Sequence, residues 1–369
     1  MARLSCSTCQ KIYDIRQPVW RCSCGGLLDI FDVPKFDLSH IDAEAQGLWR
    51  YRSVLPLEHD ANIVSIGETM TPMTEVEING HALYFKLDYL FPTGSFKDRG
   101  AAVLMSKVKE LGITRVVEDS SGNAGAAIAA YGAAARIACD IYVPAETPTS
   151  KLAQIEAVRA TLKRISGGRE TTANAALKAA TKTDYASHSW NPFFLHGVKT
   201  IAYEICEQLN WRSPNVFITP VGNGTLLLGA YLGFRELFTA RLIKRLPKII
   251  AVQAEHCAPL ATAFNLRRSN PEQIEKKPTI AEGIAVAEPI RGEQILAAVR
   301  DSGGDFIKVS EKEIANALLS MHKRGIYIEP TAAVSAAGAA QICEHLSKNE
   351  LVVSVFTGHG LKSKNHRGA

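Results

Sequence analysis

Apolar residues follow two alternating patterns along most of the chain. Short runs rich in valine, isoleucine and aromatic residues are typical of strands, and longer segments with apolar residues every three or four positions are typical of helices. The strand-like runs are HALYFKLDYL, TRVVED, CDIYVP, NVFITPV, KIIAVQAE and LVVSVFTG. The helical segments include DRGAAVLMSKVKELG, SKLAQIEAVRA, TTANAALKAATK, GVKTIAYEICEQLN, TLLLGAYLGFREL, GEQILAAVRDSG and EKEIANALLSMHKRG. This alternation predicts an α/β fold with parallel strands.

Several strand-like runs end in polar, glycine-bearing turns that lead into a helix. TRVVED continues through Ser-Ser-Gly-Asn, NVFITPV through Gly-Asn-Gly-Thr, and LVVSVF ends in Thr-Gly-His-Gly. Ligands of open parallel sheets collect at the carboxyl ends of strands, where helix N-termini present free N–H groups. Glycine lets the backbone approach an anion closely, and this is the use that we infer for Gly222 and Gly224.

Lys97 follows a Pro-Thr-Gly turn in the segment FPTGSFKDRG. Ser95 and Asp98 have the spacing of a capping box, which predicts a helix that begins at Ser95 and places Lys97 in its first turn. The helix macrodipole disfavours a cation there. One interpretation is therefore a lysine with a lowered pKa and a nucleophilic amine. The other is a surface lysine near a helix cap.

Length and composition indicate an ordinary globular enzyme. The 369 residues are enough for roughly two domains, and 46% are hydrophobic and 21% charged. The net charge of +5 is too small to imply a nucleic-acid partner, although a mildly positive pocket would suit an anionic substrate. No apolar run has the length of a membrane span or the pattern of a signal peptide, so a cytoplasmic protein is expected. The last residues, KSKNHRGA, are expected to form a solvated tail.

Four of the eight cysteines lie close together near the N-terminus, in CSTC and CSCGG. The two pairs are separated by about a dozen residues, which predicts a structural zinc site with four thiolate ligands and no open position. These ligands are Cys6, Cys9, Cys22 and Cys24. The second pair is C-x-C rather than C-x-x-C, and a reduced redox pair or unrelated thiols are the alternatives. The remaining cysteines are predicted to be core residues: Cys139, Cys206, Cys257 and Cys343.

The loop VGNGTLLLG differs from both common nucleotide-binding loops. Leu227 stands where the G-x-G-x-x-G fingerprint has its third glycine, and the Gly-Lys-Ser/Thr ending of an ATP-binding loop is missing. A small phosphate at a helix N-terminus fits better. Together with a nucleophilic lysine and a Ser-Gly-Asn turn, the loop suggests a phosphorylated aldehyde held by an amine, which means pyridoxal phosphate.

FPTGSFKDRG resembles the cofactor-lysine segment of fold-type II pyridoxal-phosphate enzymes, the tryptophan synthase β-like superfamily. Within them the chain is most similar to threonine synthases. The similarity covers most of the chain, in the order CSCGGLLD, GETMTPM, FPTGSFKDRG, SSGNAGAAIAAYGAAA, KLAQIEAVRA, NPFFLHGVKTIAYEICEQL, VGNGTLLLGAYLGFREL, AVQAEHCAPL and VFTGHGLK. These motifs are specific for the superfamily and less specific for the reaction.

The resemblance implies roles for individual residues. Lys97 would form the Schiff base with the cofactor and shuttle the substrate α-proton. Asn123 would hydrogen-bond the cofactor's 3-hydroxyl, and it could also cap the following helix. Thr357 would meet the pyridine nitrogen, and its neutral hydroxyl suits elimination and replacement rather than transamination. Ser121 and Gly122 would receive the substrate α-carboxylate. Backbone N–H groups would hold the cofactor phosphate at Gly222, Asn223, Gly224, Thr225 and Leu226.

The resemblance also implies an architecture. We expect an α/β fold with two doubly wound parallel-sheet domains, the cofactor in the cleft between them, and a zinc-ribbon-like module at the N-terminus. The module and an arm would take residues 1–50, the large domain 51–101 plus 189–369, and a small mobile domain 102–188. The expected partners are a small amino-acid substrate and a second copy in a homodimer, with no nucleic acid and no membrane.

Two positions depart from the threonine synthase pattern. These enzymes act on O-phosphohomoserine, and in the family an arginine typically follows Asn-Pro-aromatic, where this chain has Phe194. Ala124 stands where the family often has a hydroxyl residue. Ser189 and Asn191 remain as polar substrate ligands. Charge could come from elsewhere, namely from Arg99, His196 or Lys199.

Two enzymatic functions follow from these observations. The first is a lyase of the threonine synthase type, which converts O-phosphohomoserine and water to threonine and phosphate. The second is β-elimination or β-replacement on another amino acid, as in threonine or serine dehydratases, diaminopropionate ammonia-lyases or phosphoserine-using synthases. The segment TIAEGIAVAEP resembles the eliminating deaminases, but overall similarity favours the first function. A cofactor-free binding protein is disfavoured because the lysine and the phosphate loop are both present.

Overall fold

The computed structural model describes residues 2–347 and 349–363. The chain divides into two compact units, one formed by Met1–Thr69 with Lys97–Thr200 and the other by Met70–Phe96 with Ile201–Ala369. The domain boundaries expected from the sequence stay a prediction. From residue 364 onward, the expected C-terminal tail lies outside the described residues.

Thirteen strands and eleven α-helices are found in the described residues. The strands are β1 (Arg3–Cys6), β2 (Ile12–Asp14), β3 (Leu28–Phe31), β4 (Met73–Ile78), β5 (His81–Lys86), β6 (Arg115–Glu118), β7 (Ala138–Pro144), β8 (Thr161–Ile165), β9 (Asp184–Tyr185), β10 (Val216–Pro220), β11 (Lys248–Ala254), β12 (Asp305–Val309) and β13 (Val352–Val355). The helices are α1 (Lys97–Glu110), α2 (Asn123–Ala135), α3 (Thr149–Ala157), α4 (Arg169–Ala179), α5 (Pro192–Val198), α6 (Thr200–Gln208), α7 (Thr225–Thr239), α8 (Pro259–Asn265), α9 (Gly292–Asp301), α10 (Glu311–Lys323) and α11 (Pro330–Ile342).

The first unit contains two sheets. Near the N-terminus, β1 pairs antiparallel with β2 and β3 in a three-stranded sheet. A four-stranded parallel sheet has the order β8-β7-β6-β9. In this second sheet the carboxyl ends of all strands meet at one edge, which brings the turns after β6 and β9 together.

The second unit is built on a six-stranded sheet with the order β12-β11-β10-β13-β5-β4. All neighbouring pairs are parallel except β4 with β5. Every residue of β10 and β13 is buried, as expected for central parallel strands covered on both faces. The parallel α/β architecture predicted from the alternating pattern is therefore confirmed.

The strands without a sequence prediction are mostly short or exposed. β8 has no fully buried residue and β9 is only two residues long, so neither produces a strong apolar pattern. The helix predicted over GVKTIAYEICEQLN is interrupted in the structure, where α5 ends at Val198 and α6 begins at Thr200. Cys139, Cys206, Cys257 and Cys343 are buried, as predicted.

The predicted start of α1 is wrong by two residues, because the helix begins at Lys97 rather than at Ser95. Ser95 forms an antiparallel bridge with Gly358, and the Phe96 amide donates to the Thr357 carbonyl at 3.0 Å. These backbone contacts hold Ser95 in an extended conformation. Its hydroxyl therefore has no hydrogen-bond partner among the described residues, and the capping box with Asp98 does not form.

In residues 2–347 and 349–363, no helix combines the length and the apolar character that crossing a membrane requires.

One ion pair is completely buried in the second unit. Lys86 Nζ lies 2.7 Å from Glu204 Oε2, and both side chains are 0% exposed. The ammonium also donates to the Thr71 carbonyl at 2.6 Å and to Gln208 Oε1 at 2.9 Å. These additional bonds offset the desolvation of the lysine, so the pair links β5 to α6.

We expect Lys86→Met to lower the free energy of unfolding by roughly 3–5 kcal/mol, because Glu204 would keep a buried charge without its partner. The matched control is Lys86→Met combined with Glu204→Leu, which removes both charges and should recover most of that loss. Urea unfolding of the three proteins measures the difference. A double variant as unstable as the single one would contradict this interpretation.

Candidate functional site

In the first unit, the proposed substrate residues lie at the ends of two neighbouring strands. Val117 of β6 pairs with Tyr185 of β9, and the Ala186 amide donates to the Val117 carbonyl at 2.9 Å. The turn after β6 carries Ser121 and Gly122, both half-buried. The turn after β9 carries the other two substrate residues, which are buried: Ser189 and Asn191.

The turn after β6 folds back tightly before α2 begins. A Cβ atom at position 125 would lie 1.8 Å from the Ser120 carbonyl oxygen, so only glycine fits there. Gly122 is the N-cap of α2 and Asn123 is its first residue. The suggestion that Asn123 caps the helix is therefore wrong, because Asn123 already has helical geometry. Its side chain lies on the first turn of α2, half-buried, beside the proposed carboxylate-binding residues.

Asn191 does act as a helix cap. Its Oδ1 accepts a hydrogen bond from the Phe193 amide at 3.1 Å, at the start of α5. Only the Nδ2 group of this side chain is thus left as a substrate ligand.

Lys97 is the first residue of α1 and is half-buried. Its Nζ lies 5.5 Å from the centre of the Phe194 ring. Phe194 is fully buried and packs across Gly100, where a Cβ atom would lie 2.3 Å from the ring. The residue that replaces the family's arginine therefore forms an apolar wall beside the lysine amine.

The three cations suggested as alternative sources of charge are buried in the first unit. Arg99 donates to Thr200 Oγ1 at 3.1 Å, and Lys199 Nζ donates to the Val54 carbonyl at 2.9 Å. Both side chains are 0% exposed, and these bonds tie them to the interior. His196 is also buried, at 3% exposure.

A buried acid–base pair beside Lys97 was not predicted from the sequence. His188 Nδ1 lies 2.7 Å from Glu118 Oε1, and both side chains are buried. Burial and the neighbouring Asp119 raise the pKa of Glu118 well above its ordinary value, against the opposing effect of Lys97. Burial, with Lys97 and Arg169, lowers the pKa of His188 well below its ordinary value. The raised pKa of Glu118 favours a protonated carboxyl group, and the lowered pKa of His188 favours an uncharged imidazole.

The proposed phosphate-loop residues lie in the second unit, where Gly222, Asn223 and Gly224 follow β10 and Thr225 and Leu226 begin α7. Gly224 is the N-cap of α7 at φ 75°, so the residue at the cap position has no side chain to bond the first N–H groups of the helix. A Cβ atom at Gly222 would lie 2.8 Å from the Ile284 Cα, and one at Gly224 would lie 2.2 Å from the Ile295 side chain. Packing inside the unit thus requires glycine at both positions, and the positive φ requires it at Gly224 as well. The sequence analysis explained the same glycines by close approach to an anion.

Two buried hydroxyl groups lie together near the end of β13. Thr357 Oγ1 and Ser95 Oγ, on side chains 2% and 0% exposed, have no hydrogen-bond partner among the described residues. Ser95 was not predicted as a site residue. In the sequence, its position two residues before Lys97 is the one feature that could have indicated a role in the site. Buried polar atoms without partners are rare. These two hydroxyl groups are therefore candidates for hydrogen bonds to a polar ligand.

The four N-terminal cysteines form a compact cluster with all Sγ atoms within 4.8 Å of one another. Cys6 and Cys24 Sγ are 3.5 Å apart, as are those of Cys9 and Cys22. The Tyr13 hydroxyl, 3.1 Å from Cys22 Sγ, lowers the pKa of that thiol to about 6. Clustered thiols with a thiolate-stabilising neighbour match the donor set that zinc prefers.

Comparison with known proteins gives consistent matches. Residues 64–358 match the family described as pyridoxal-phosphate dependent enzyme. A threonine synthase from Methanocaldococcus jannaschii is 36% identical over 372 residues, covering 97% of this chain and 92% of the relative. A threonine synthase from Methanosarcina acetivorans is 34% identical over 376 residues, covering 98% and 92%.

A solved structure also matches. The processed form of threonine deaminase isoform 2 from Solanum lycopersicum has a TM-score of 0.69 and 25% sequence identity, covering 79% of each chain.

We expect Glu118→Gln to change how stability depends on pH. The folded protein keeps the Glu118 proton to a higher pH than the unfolded chain does. Between the ordinary pKa of a glutamate and the raised pKa in the folded protein, the contribution of Glu118 to the free energy of unfolding therefore falls by about 1.4 kcal/mol per pH unit. Glutamine cannot titrate. The wild type should therefore lose stability relative to the variant as pH rises above the ordinary pKa of a glutamate carboxyl group, which urea unfolding at a series of pH values measures.

Glu110→Gln is a matched control in the same unit. Hydrogen bonds from Lys107 and from the His59 and Glu58 amides outweigh burial and lower the pKa of Glu110. Its titration therefore lies below the range tested, and the stability difference from wild type should stay constant. Parallel pH curves for wild type and Glu118→Gln would contradict the raised pKa of Glu118.

Proposed function

This chain belongs to the threonine synthase family of pyridoxal-phosphate dependent enzymes, and we propose that it converts O-phosphohomoserine and water to threonine and phosphate. The observation that carries the proposal is the similarity of nearly the whole chain, 97% of it, to a threonine synthase of comparable length. A shared cofactor-binding region alone, such as residues 64–358, would not account for similarity over 97% of the chain.

The cofactor that this family uses is compatible with the groups described above. In the first unit, Lys97 is half-buried at the start of α1 and Asn123 lies on the first turn of α2. In the second unit, α7 begins after a glycine N-cap, and its N-terminus would take the cofactor phosphate through backbone N–H groups. The unpartnered Thr357 hydroxyl would hold the ring nitrogen, and that of Ser95 is an additional donor.

When bound, pyridoxal phosphate supplies the electron sink that makes the substrate α-proton acidic. Lys97 Nζ is the proposed base that takes the proton from Cα and then assists loss of a proton from Cβ. Phosphate leaves from Cγ, and a proton is returned to Cγ. Water then adds its hydroxyl at Cβ while its proton goes to the phosphate, and a proton is returned to Cα to give threonine. Ser121 and Gly122 are proposed to bind the α-carboxylate, and Ser189 and the Asn191 Nδ2 group to bind the remainder of the substrate.

Phe194 supports a second candidate function. A phenylalanine cannot pair with a phosphate dianion, and losing a charge-assisted hydrogen bond costs about 1.5–3 kcal/mol. An apolar wall at this position suits β-elimination from an amino acid without a phosphate group, such as serine or threonine. Family membership favours the first function.

A single-turnover assay with O-phosphohomoserine tests the proposal. We expect phosphate and threonine to appear in equal amounts. Lys97→Ala should lower the rate by roughly 10²–10⁴-fold or more, because it removes the base, and Lys109→Ala at the other end of α1 should leave it unchanged. No product from O-phosphohomoserine, together with keto acid from serine or threonine, would replace the first function by the second.

We also propose that the cysteine cluster binds zinc as a structural ion. Four thiolates complete a tetrahedral shell and leave no position for a substrate. The support is the proximity of the four Sγ atoms and the amide hydrogen bonds that Cys6 Sγ accepts from Thr8 and Cys9, at 3.4 and 3.5 Å. The zinc-ribbon-like character of residues 1–50 belongs to the same proposal.

Metal analysis tests the zinc proposal independently of activity. The purified protein should contain about one zinc ion per chain, and Cys9→Ser should lose most of it because the tetrahedral shell is broken. Cys343→Ala, outside the cluster, should keep its zinc. A wild-type protein that is folded and free of zinc would refute the proposal.

A cytoplasmic homodimer completes the proposal, on the basis of the family resemblance. Size measurement in solution tests the dimer.

A further inference from the structure

The N-terminal module contacts the turn after β9 through two side chains. The Trp20 ring meets Tyr185 edge-on with centroids 5.1 Å apart, and it meets Trp190 edge-on at 5.8 Å. The Arg21 guanidinium lies over both indole rings, 5.6 Å from Trp20 and 5.5 Å from Trp190. Each contact lies in the range that stabilises aromatic pairs or cation–π pairs.

Trp20 contacts one turn of the proposed substrate site directly and reaches the other through Tyr185. Trp190 lies between Ser189 and Asn191, in the turn after β9. The Tyr185 hydroxyl, in β9, donates to Asp119 Oδ1 at 2.7 Å, and Asp119 is the first residue of the turn after β6. One side chain of the N-terminal module is therefore connected to both turns, directly to the second and through one hydrogen bond to the first.

Some hydrogen bonds within these turns are long. The amides of Ser189 and Trp190 donate to Ser187 Oγ at 3.3 and 3.4 Å. The Gly122 amide donates to Ser120 Oγ at 3.3 Å, whereas the Asn191 amide donates to the Ser187 carbonyl at 3.0 Å. Side-chain packing from outside the turns adds to these bonds in opposing local opening.

The module has a firm anchor next to Trp20. Arg21 is followed directly by Cys22, which is buried in the cysteine cluster. Trp20 Nε1 also donates to the Ala180 carbonyl, just after α4, at 3.4 Å. The two side chains are thus held on one side by the cluster and on the other by the parallel-sheet part of the unit.

We propose that Trp20 and Arg21 are positioning residues for the substrate-binding turns after β6 and β9. This inference rests on the proposed function for the identity of the substrate. Removing either side chain leaves Lys97 and the proposed phosphate ligands of the second unit untouched and loosens the groups proposed to bind the substrate. The effect is therefore on KM rather than on kcat.

The experiment compares Trp20→Ala, Trp20→Phe and Arg21→Ala with wild type, all loaded with pyridoxal phosphate. The control is Arg16→Ala, which removes an exposed cation of the same module whose partner, Asp14, is local. Hydrogen exchange without substrate reports the mobility of residues 119–123 and 187–191. Steady-state kinetics with O-phosphohomoserine reports KM and kcat.

We expect exchange in both turns to be about tenfold faster in Trp20→Ala and Arg21→Ala. KM should rise roughly three- to tenfold, with kcat and the visible absorbance of the bound cofactor little changed. Trp20→Phe keeps an edge-on ring and should stay close to wild type, as should Arg16→Ala. If Trp20→Ala does not fold, Arg21→Ala decides the question.

Unchanged exchange and KM in Arg21→Ala and a folded Trp20→Ala would overturn the inference. Faster exchange throughout the unit, or faster exchange with an unchanged KM, would also overturn it, because both indicate a role in folding alone. A wild type that does not use O-phosphohomoserine refutes the proposed function instead. The exchange rates of the two turns, measured without substrate, then decide this inference by themselves.

Discussion

The close contact between α1 and α5 is the constraint on which the first unit's part of the site depends. A Cβ at Gly100 would lie 2.3 Å from the Phe194 ring, and one at Gly197 would lie 2.1 Å from the Arg99 carbonyl oxygen. Two glycines, one on each helix, thus allow the backbones to approach. The contact sets Lys97, at the start of α1, beside Phe194, and it brings the cap of α5 near the same position. Phe194 therefore belongs to the packing of the unit as well as to the apolar wall beside Lys97. A larger polar side chain at position 194 would have to disturb this packing.

The two units handle buried charge in different ways. In the second unit, Lys86 and Glu204 remain an ion pair because two further acceptors share the ammonium. In the first unit, burial shifts the pKa values of Glu118 and His188 in opposite directions, each toward the uncharged form. The difference follows from the cost of burying a charge that lacks enough partners.

Family membership and substrate choice depend on different parts of the chain. The similarity to threonine synthases extends over almost the full length and includes the lysine segment and the phosphate loop. Recognition of a phosphorylated substrate needs in addition a cation or an array of donors, and Phe194 provides neither. The arginine and lysine suggested as substitutes are bonded within the interior.

The sequence by itself determined the parallel α/β architecture, the strand-to-helix turns that carry the site and the cysteine cluster. Each of these depends on local periodicity or on short motifs. Only the tertiary structure decided that Ser95 leaves its hydroxyl unbonded, because a bridge to Gly358 prevents capping. It likewise paired Glu118 with His188 across 70 residues and brought Trp20 to Ala180 across 160. Contacts between distant residues leave no periodic pattern in either segment, since their energy depends on burial and geometry that exist only after the chain has folded.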